Sequence, residues 1–413
     1  MRLLYIDPGT GSMLFTILIG LIGAAIYSLR MLFVKLRFVI SGGKKVEVNK
    51  NKIPFVIFSD NKRYWNVFEP ICREMDKRGA DVVYMTASPD DPALECGLSH
   101  IKGQFIGEGN KAFAKLNFLN AGIVLSTTPG LDVYQWKRSK DVQYYVHIPH
   151  AATDLSMYRM FGIDHYDAIL TSGQYQQDQV REMEKLRDLP AKEMEMIGIP
   201  YMDEMKKRLD EAEPLPEHPT TVLLAPSWGT EAILTKYGAK IIQPLLDTGF
   251  HVIIRPHPQS FQSEKDLMDK LMKQFPASKD LEWNRDRDNF DVLRRSDIMI
   301  SDFSGVIFDF AMIYDKPIIY TDTKIDTGVY DAWWLTSPIW TTSILAKLGV
   351  QLNDENIATL KELIDTCIHD DRFAQGREQA RKETWEHEGT GAQRVANYLL
   401  AKQKDLNSSE DTK

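Results

Sequence analysis

Two series of short apolar runs, separated by one charged and proline-rich break, leave this chain little choice of fold. In the first series Ile53-Pro-Phe-Val-Ile-Phe, Asp81-Val-Val-Tyr-Met, Gly122-Ile-Val-Leu-Ser, Gln143-Tyr-Tyr-Val-His, Asp167-Ala-Ile-Leu-Thr-Ser and Met194-Glu-Met-Ile-Gly each end in small or polar residues. Runs this short and this evenly apolar suit strands buried on both faces of a parallel sheet. An amphipathic stretch from Arg63 to Arg78 separates the first two, which gives a βαβ rhythm. The second series is Thr221-Val-Leu-Leu-Ala, Val252-Ile-Ile, Asp297-Ile-Met-Ile-Ser and Pro317-Ile-Ile-Tyr, with helices near Ala232 to Leu246, Ser263 to Gln274 and from Ser304. Between the series, Asp210 to Thr220 is charged, rich in proline and without periodicity, the character of a domain boundary. The expected class is α/β, with two parallel-sheet domains at 51–212 and 213–390. Helices near Glu355 to Cys367 and Arg372 to Glu383 finish the second domain, a closing helix follows at 391–404, and the polar residues 405–413 are expected to be disordered. A chain of 413 residues is long enough for two such cores.

The amino terminus has a different character. Residues 1–11 precede an uncharged stretch from Ser12 to Leu29, close to the roughly 18 residues that a membrane-spanning helix needs. Arg30, Lys35, Arg37, Lys44 and Lys45 follow within a basic linker at 30–50. A cleaved leader carries its positive charge before the apolar run, whereas here most of it comes after. The expectation is therefore a retained anchor, with the body of the protein on the cytoplasmic face of the membrane. A helix lying along the interface is the alternative, because Met31 to Ile40 continues amphipathically. The net charge of −8 argues against a nucleic-acid partner. Three widely spaced cysteines, Cys72, Cys96 and Cys367, point to a reducing compartment and no structural zinc.

The residues able to carry chemistry sit where strands end. Asp297 to Ser301 runs into Asp302-Phe-Ser-Gly and then an apolar helix, so hydroxyls and free amides converge at a helix start and form a phosphate cradle. Ser301, Ser304 and the Gly305 amide are the expected contacts, and Asp302 reads more readily as a cap than as a catalyst. Arg255 and His257 follow the Val252 strand; Pro256 and Pro258 stiffen the backbone around the histidine, and arginine is a strong phosphate clamp. In Val146-His-Ile-Pro-His-Ala-Ala-Thr-Asp, His147 closes a strand and His150 lies in the loop beyond it, where an imidazole makes a good general base. His147, His150, Asp154 and Tyr158 lack a recognised metal-ligand spacing, so no metal is expected. A kinase-type phosphate loop and a Gly-x-Gly-x-x-Gly fingerprint are both missing from the sequence.

Taken together and in order, His150-Ala-Ala-Thr-Asp, Thr171-Ser-Gly, Ile197-Gly-Ile-Pro-Tyr-Met-Asp, Ala225-Pro-Ser-Trp-Gly, Arg255-Pro-His-Pro, Ser301-Asp-Phe-Ser-Gly and Asp315-Lys-Pro resemble the CDP-glycerol glycerophosphotransferases of teichoic-acid synthesis. The resemblance implies two Rossmann-like domains in the GT-B architecture, with the nucleotide donor held by the second domain and the acceptor facing it from the first. It implies His150 as base, His257 assisting at the diphosphate, and Ser301, Asp302 and Ser304 as the phosphate-binding turn. Arg255 and Gly305 join that donor set, and Ser227, Thr153 and Asp154 are candidate substrate contacts. This chain departs from the family in having His150-Ala-Ala where His-Gly is usual, and Gly305 where a second serine is usual.

The implied activity is transfer of a glycerol-phosphate or related polyol-phosphate group from a CDP-activated donor to a membrane-linked glycan or polymer, with release of CMP. No cofactor is required beyond the donor itself. The expected partners are that donor, a lipid-linked or polymeric envelope acceptor and the bacterial inner membrane, with self-association left open. Two other readings compete: a GT-B glycosyltransferase or 2-epimerase-like enzyme acting on a UDP-sugar, and a catalytically silent, membrane-anchored binding module.

Overall fold

The computed structural model describes residues 52–286, 288–322 and 327–411. Seven strands, β1 (Ile53–Ser59), β2 (Val82–Thr86), β3 (Ile101–Phe105), β4 (Asn120–Ser126), β5 (Asp141–His147), β6 (Ala168–Thr171) and β7 (Glu193–Met196), form one sheet in the order β3-β2-β1-β4-β5-β6-β7. Six more, β8 (Thr221–Leu224), β9 (His251–Ile254), β10 (Leu281–Trp283), β11 (Ile298–Ser301), β12 (Ile318–Thr321) and β13 (Gly349–Leu352), form a second in the order β10-β9-β8-β11-β12-β13. Every neighbouring pair is parallel, as the even burial of the runs predicts. The chain order reverses between β1 and β4 in the first sheet and between β8 and β11 in the second. Loops diverge at such points and leave a crevice outside the carboxyl ends of the strands.

Alternate side chains of each strand feed separate cores. Phe55, Ile57, Tyr84, Ile123 and Val146 pack on one face of the first sheet, while Val56, Phe58, Val124, Tyr145 and Ile169 pack on the other. In the second sheet Leu223, Ile253, Met299 and Ile318 face one side and Val222, Ile254, Ile300 and Ile319 the other. The cluster around Leu223 extends beyond its own sheet, taking in Val67, Ala152, Ile199, Tyr201 and Met202 from the first half. An apolar seam therefore joins the two sheets.

Polar contacts reinforce the seam. After β12, residues 327–343 cross over the first half as a strap: Asp331 N–H donates to Tyr158 O at 3.0 Å, and Met160 N–H donates to Val329 O at 3.3 Å. The Asp331 carboxylate accepts from Phe161 N–H at 3.0 Å and pairs with Arg187. Glu182 accepts from Thr336 N–H and Oγ1, both at 2.7 Å, and from Ser337.

The chain ends by returning to the first sheet. Gly198 has φ +79°, and a Cβ there would lie 2.1 Å from Glu386 O, so only glycine lets the returning chain pass. The last helix, Gly391–Asp411, places Val395, Ala396 and Leu399 in the core with Phe55 and Ile71. It is longer than the sequence suggests. The residues from Asp405 expected to be disordered continue the helix to Asp411, because Leu406 extends the apolar stripe and Ser408 and Ser409 hydroxyls bond back to Lys404 O and Asp405 O. The expected anchor at 12–29 and its basic linker lie outside the described residues. Among the described residues no helix is long and apolar enough to cross a membrane.

Candidate active site

The loops that leave the two crevices meet across the seam. From the first sheet come the turn after β1, carrying Arg63 and Tyr64, and the loop after β5, carrying His150. From the second come the loops after β8, β9 and β11, carrying Ser227 and Trp228, His257, and Ser304. Tyr64 and Ala151 pack against the same apolar cluster that holds Ala225 and Ile307, so both sets of loops border one cleft.

The two histidines that end the β5 region have opposite fates. His147 alternates into the first core, fully buried, with Nε2 3.2 Å from the Tyr158 hydroxyl and its ring against Tyr166. Burial pushes its pKa down to about 3. His150 lies in the loop, partly exposed, with its ring 5.1 Å from that of Tyr64 and with a covered Nδ1 that meets no donor. Loss of solvent and, second, the nearby Arg63 guanidinium lower its pKa to about 4, so the proton-accepting form prevails at neutral pH.

His257 is fixed by its own turn. Gln259 N–H donates to His257 Nδ1 at 3.1 Å, so the neutral ring carries its proton on Nε2 and presents a donor. Burial first, and then Arg63, hold its pKa below the usual value against the opposing charges of Glu264 and Asp302. The exposed Trp228 ring stacks beside it, with centroids 6.3 Å apart and planes 30° from parallel.

The turn after β11 opens a helical segment, so its first amides have no carbonyl one turn earlier to meet. Ser304 is partly exposed there and Gly305 exposed, and a Cβ on Gly305 would meet nothing within 4 Å. The open space suits a ligand, but the close-approach argument for glycine fails, because φ at Gly305 is −59°, which any residue adopts. Glycine is required instead at Gly229, where φ is +99°.

Asp302 is almost wholly buried. Its carboxylate accepts from Ser227 N–H at 2.9 and 3.1 Å and from Ile233 N–H at 2.9 Å, which pins the β8 loop beside the phosphate turn. It is an anchor for the β8 loop rather than a cap on the helix that follows it, which has no side-chain cap.

Four other expected contacts are corrected by geometry. Ser301 is fully buried and donates its hydroxyl to Ala225 O at 2.5 Å, tying β11 to β8 rather than facing the cleft. Asp154 is also fully buried. It accepts from Trp340 N–H at 2.8 Å, Thr341 N–H at 2.9 Å and Gln179 Nε2 at 2.5 Å, and so caps a helix of the strap. Thr153 serves the same junction through its carbonyl, which accepts from Tyr175 Oη at 3.0 Å and Gln176 Nε2 at 2.8 Å. Arg255 reaches sideways, donating to Asn284 and, at 2.8 Å, to Asp286 O, and thereby orders the loop after β10. Among the described residues no three His, Cys, Asp or Glu side chains gather as metal ligands.

Sequence reasoning missed Arg63, Tyr64 and Trp228. A signal existed for the first pair in Asn61, which accepts from Arg63 N–H at 3.1 Å and caps the turn before the helix. That helix begins at Trp65, so Arg63 belongs to the crevice loop rather than to the helical face.

Comparison with known proteins gives the same outline. The family described as CDP-glycerol:poly(glycerophosphate) glycerophosphotransferase matches residues 44–401. No curated protein matches by sequence. Among solved structures, the wall teichoic acid polymerase TagF soaked with CDPG is similar at 12% identity and a TM-score of 0.56, over 92% of this chain and 98% of that one. UDP-GlcNAc 2-epimerase from Methanocaldococcus jannaschii is similar at 14% identity and a TM-score of 0.55, over 85% of this chain and 100% of that one. The Neisseria meningitidis 2-epimerase bound to UDP-GlcNAc is similar at 13% identity and a TM-score of 0.51, over the same shares. At these identities the structures establish a shared GT-B fold and nothing finer. The family match, in contrast, takes in both sheets, both histidine loops and the phosphate turn, and the chain therefore belongs to the CDP-glycerol:poly(glycerophosphate) glycerophosphotransferase family and is a glycerophosphotransferase.

Proposed function

We propose that the enzyme transfers a glycerol-phosphate or related polyol-phosphate group from a CDP-linked donor to a hydroxyl of a membrane-linked glycan or polymer, releasing CMP. The observation that carries this reading is that His150, packed on Tyr64, and His257, on a loop of the other sheet, both lie within reach of the Arg63 charge. His150, unprotonated at neutral pH, takes the proton of the acceptor hydroxyl as that oxygen attacks the distal phosphorus. The bond between that phosphorus and the bridging oxygen breaks, and the charge that appears on CMP is met by the Nε2–H of His257. Ser304, with the amides of its turn, holds non-bridging oxygens, Ser227 lines the same side, and Arg255 fixes the loop beside them. The scheme uses no metal and no cofactor.

The envelope setting is part of the same proposal. The uncharged stretch from Ser12 to Leu29 and the basic residues after it support an anchor in the bacterial inner membrane, with the catalytic body on the cytoplasmic side. The family described by the matching model acts on poly(glycerophosphate), which supports a polymeric acceptor.

The test is a screen of purified protein with CDP-glycerol, CDP-ribitol and UDP-GlcNAc, with and without a polyol-phosphate acceptor, reading nucleotide release by mass. CMP from a CDP-polyol supports the reading. UDP release with sugar transfer or epimerisation replaces it with the UDP-sugar alternative, and no release from any donor replaces it with a binding role.

A further inference from the structure

Among the described residues Arg63 is a cation without an ion-pair partner, on a turn that borders the cleft. It sits on the turn directly after β1, beside the β1/β4 crevice, and its side chain is exposed. Among the described residues no carboxylate comes within ion-pair distance of it, although 21 other pairs of Lys, Arg or His with Asp or Glu do form, from Lys62 with Asp90 to Lys402 with Glu193. Its guanidinium lies 4.7 Å above the Tyr64 ring and donates one bond, from Nη2 to Tyr64 Oη at 2.8 Å. Tyr64 in turn packs on His150. A guanidinium has five N–H groups in a flat fork, so most of this one remains available.

Its neighbours explain why an anion is missing. Arg63 acts on His150 from its own half and on His257 from the other, and at both it opposes protonation. Asp60, three positions earlier, feels the same charge but is held above the usual carboxylate range, chiefly by burial, and forms no ion pair with Arg63. The groups around the fork are thus neutral imidazoles, a phenol and a reluctant carboxylate. A planar cation so placed binds phosphate oxygens in preference to a carboxylate of its own chain.

We infer that Arg63 grips the distal phosphate of the nucleoside-diphosphate donor, the one whose phosphorus is attacked, and so belongs to the catalytic residues although it comes from the acceptor-side sheet. The inference rests on the donor reading above and deepens it. An anion on Arg63 cancels its field at His150, so donor binding makes the base stronger when its partner is in place. Free enzyme would then hold His150 poorly basic and inactive toward stray protons, and the loaded enzyme would not.

CDP and CMP separate this role from a general effect, since only CDP carries the second phosphate. In calorimetric titrations of the full chain, Arg63→Ala should weaken CDP by about 10–100-fold while leaving CMP within about 2-fold, and Arg63→Lys should recover part of the loss. In turnover, Arg63→Ala should lower kcat/KM by about 10²–10³-fold, and the acid limb of its pH profile should move to higher pH because His150 has lost the opposing charge. Equal losses for CDP and CMP, or unchanged CDP affinity with an unmoved acid limb, overturn the assignment. If the donor screen instead yields UDP release, the polyol-phosphate reading falls while a UDP-against-UMP difference in Arg63→Ala still upholds the phosphate contact.

Discussion

Removing the Asp302 carboxylate distinguishes an anchor from a catalyst at the heart of the phosphate turn. The side chain meets two buried amides, Ser227 N–H and Ile233 N–H, through three contacts of 2.9 to 3.1 Å, and almost none of it reaches solvent. Hydrogen bonds to a charged group contribute about 1.5–3 kcal/mol each, so losing both partners costs roughly 3–6 kcal/mol before relaxation. Water entering the vacated space recovers some of this, and Asp302→Ala should be destabilised by about 2–4 kcal/mol. Asp302→Asn keeps one acceptor but turns an amide N–H toward the other donor, and about half that loss is expected. The loop 225–233 carries Ser227 and Trp228, so the KM for donor should rise in both variants. Scanning calorimetry reads the global loss, and hydrogen exchange at Ser227 and Ile233 reads the local one. Wild-type stability and wild-type protection combined with a collapsed kcat would refute the anchor and make Asp302 an acid or base.

The remaining predictions concern the histidines and the strap. His150→Ala should lower kcat by about 10²–10⁴-fold while CDP binding persists, as expected for loss of a general base; near-normal turnover would move the base elsewhere. His147→Ala should instead lose about 2–5 kcal/mol of stability from the cavity left in the first core, with kcat changed little by comparison. The His150 pKa of about 4 is depressed, so its active, neutral form is lost only as pH falls through that region, and kcat/KM should stay flat from neutral pH down to about 5 before it declines; a limb near pH 6.5 would show an unperturbed imidazole. Asp154→Ala leaves Trp340 N–H, Thr341 N–H and Gln179 without their acceptor, and the strap 327–343 should exchange its amides at least about 10-fold faster while the first sheet stays protected.

Most of the fold was legible because it is made of parallel strands buried on both faces, which advertise themselves as unbroken apolar runs. The strands that escaped notice are β3, β10 and β13, and each lies at the edge of its sheet. An edge strand has a neighbour on one side only, and Ile101-Lys-Gly-Gln-Phe can expose Lys102, Gln104 and Phe105 without penalty, so the apolar signal fades. The strap was invisible for a related reason: its contacts are hydrogen bonds that join Asp331, Thr336 and Ser337 to residues at least 144 positions away, which leave no local periodicity. Within the site, position was easier to read than role. His150, His257 and Ser304 lie on the loops that border the cleft. Ser301, Asp154 and Thr153 are polar residues in the right loops whose bonds point inward, and residue type cannot show direction. Arg63 was hidden by the helical pattern that begins two residues later.

The final helix has a consequence for how the molecule is made. Val395, Ala396 and Leu399 complete the core that Phe55 and Ile71 begin, so the first sheet lacks part of its hydrophobic cover until the helix Gly391–Asp411 has left the ribosome. Domains usually fold as they emerge, first half before second. Here the first half to be synthesised is the last to be sealed, and its apolar face must wait, open to misassociation, through the synthesis of the entire second sheet. A chain built this way ties its first sheet to a helix made only after its second, and a product broken off before that helix carries an unfinished core in the first sheet rather than at the broken end.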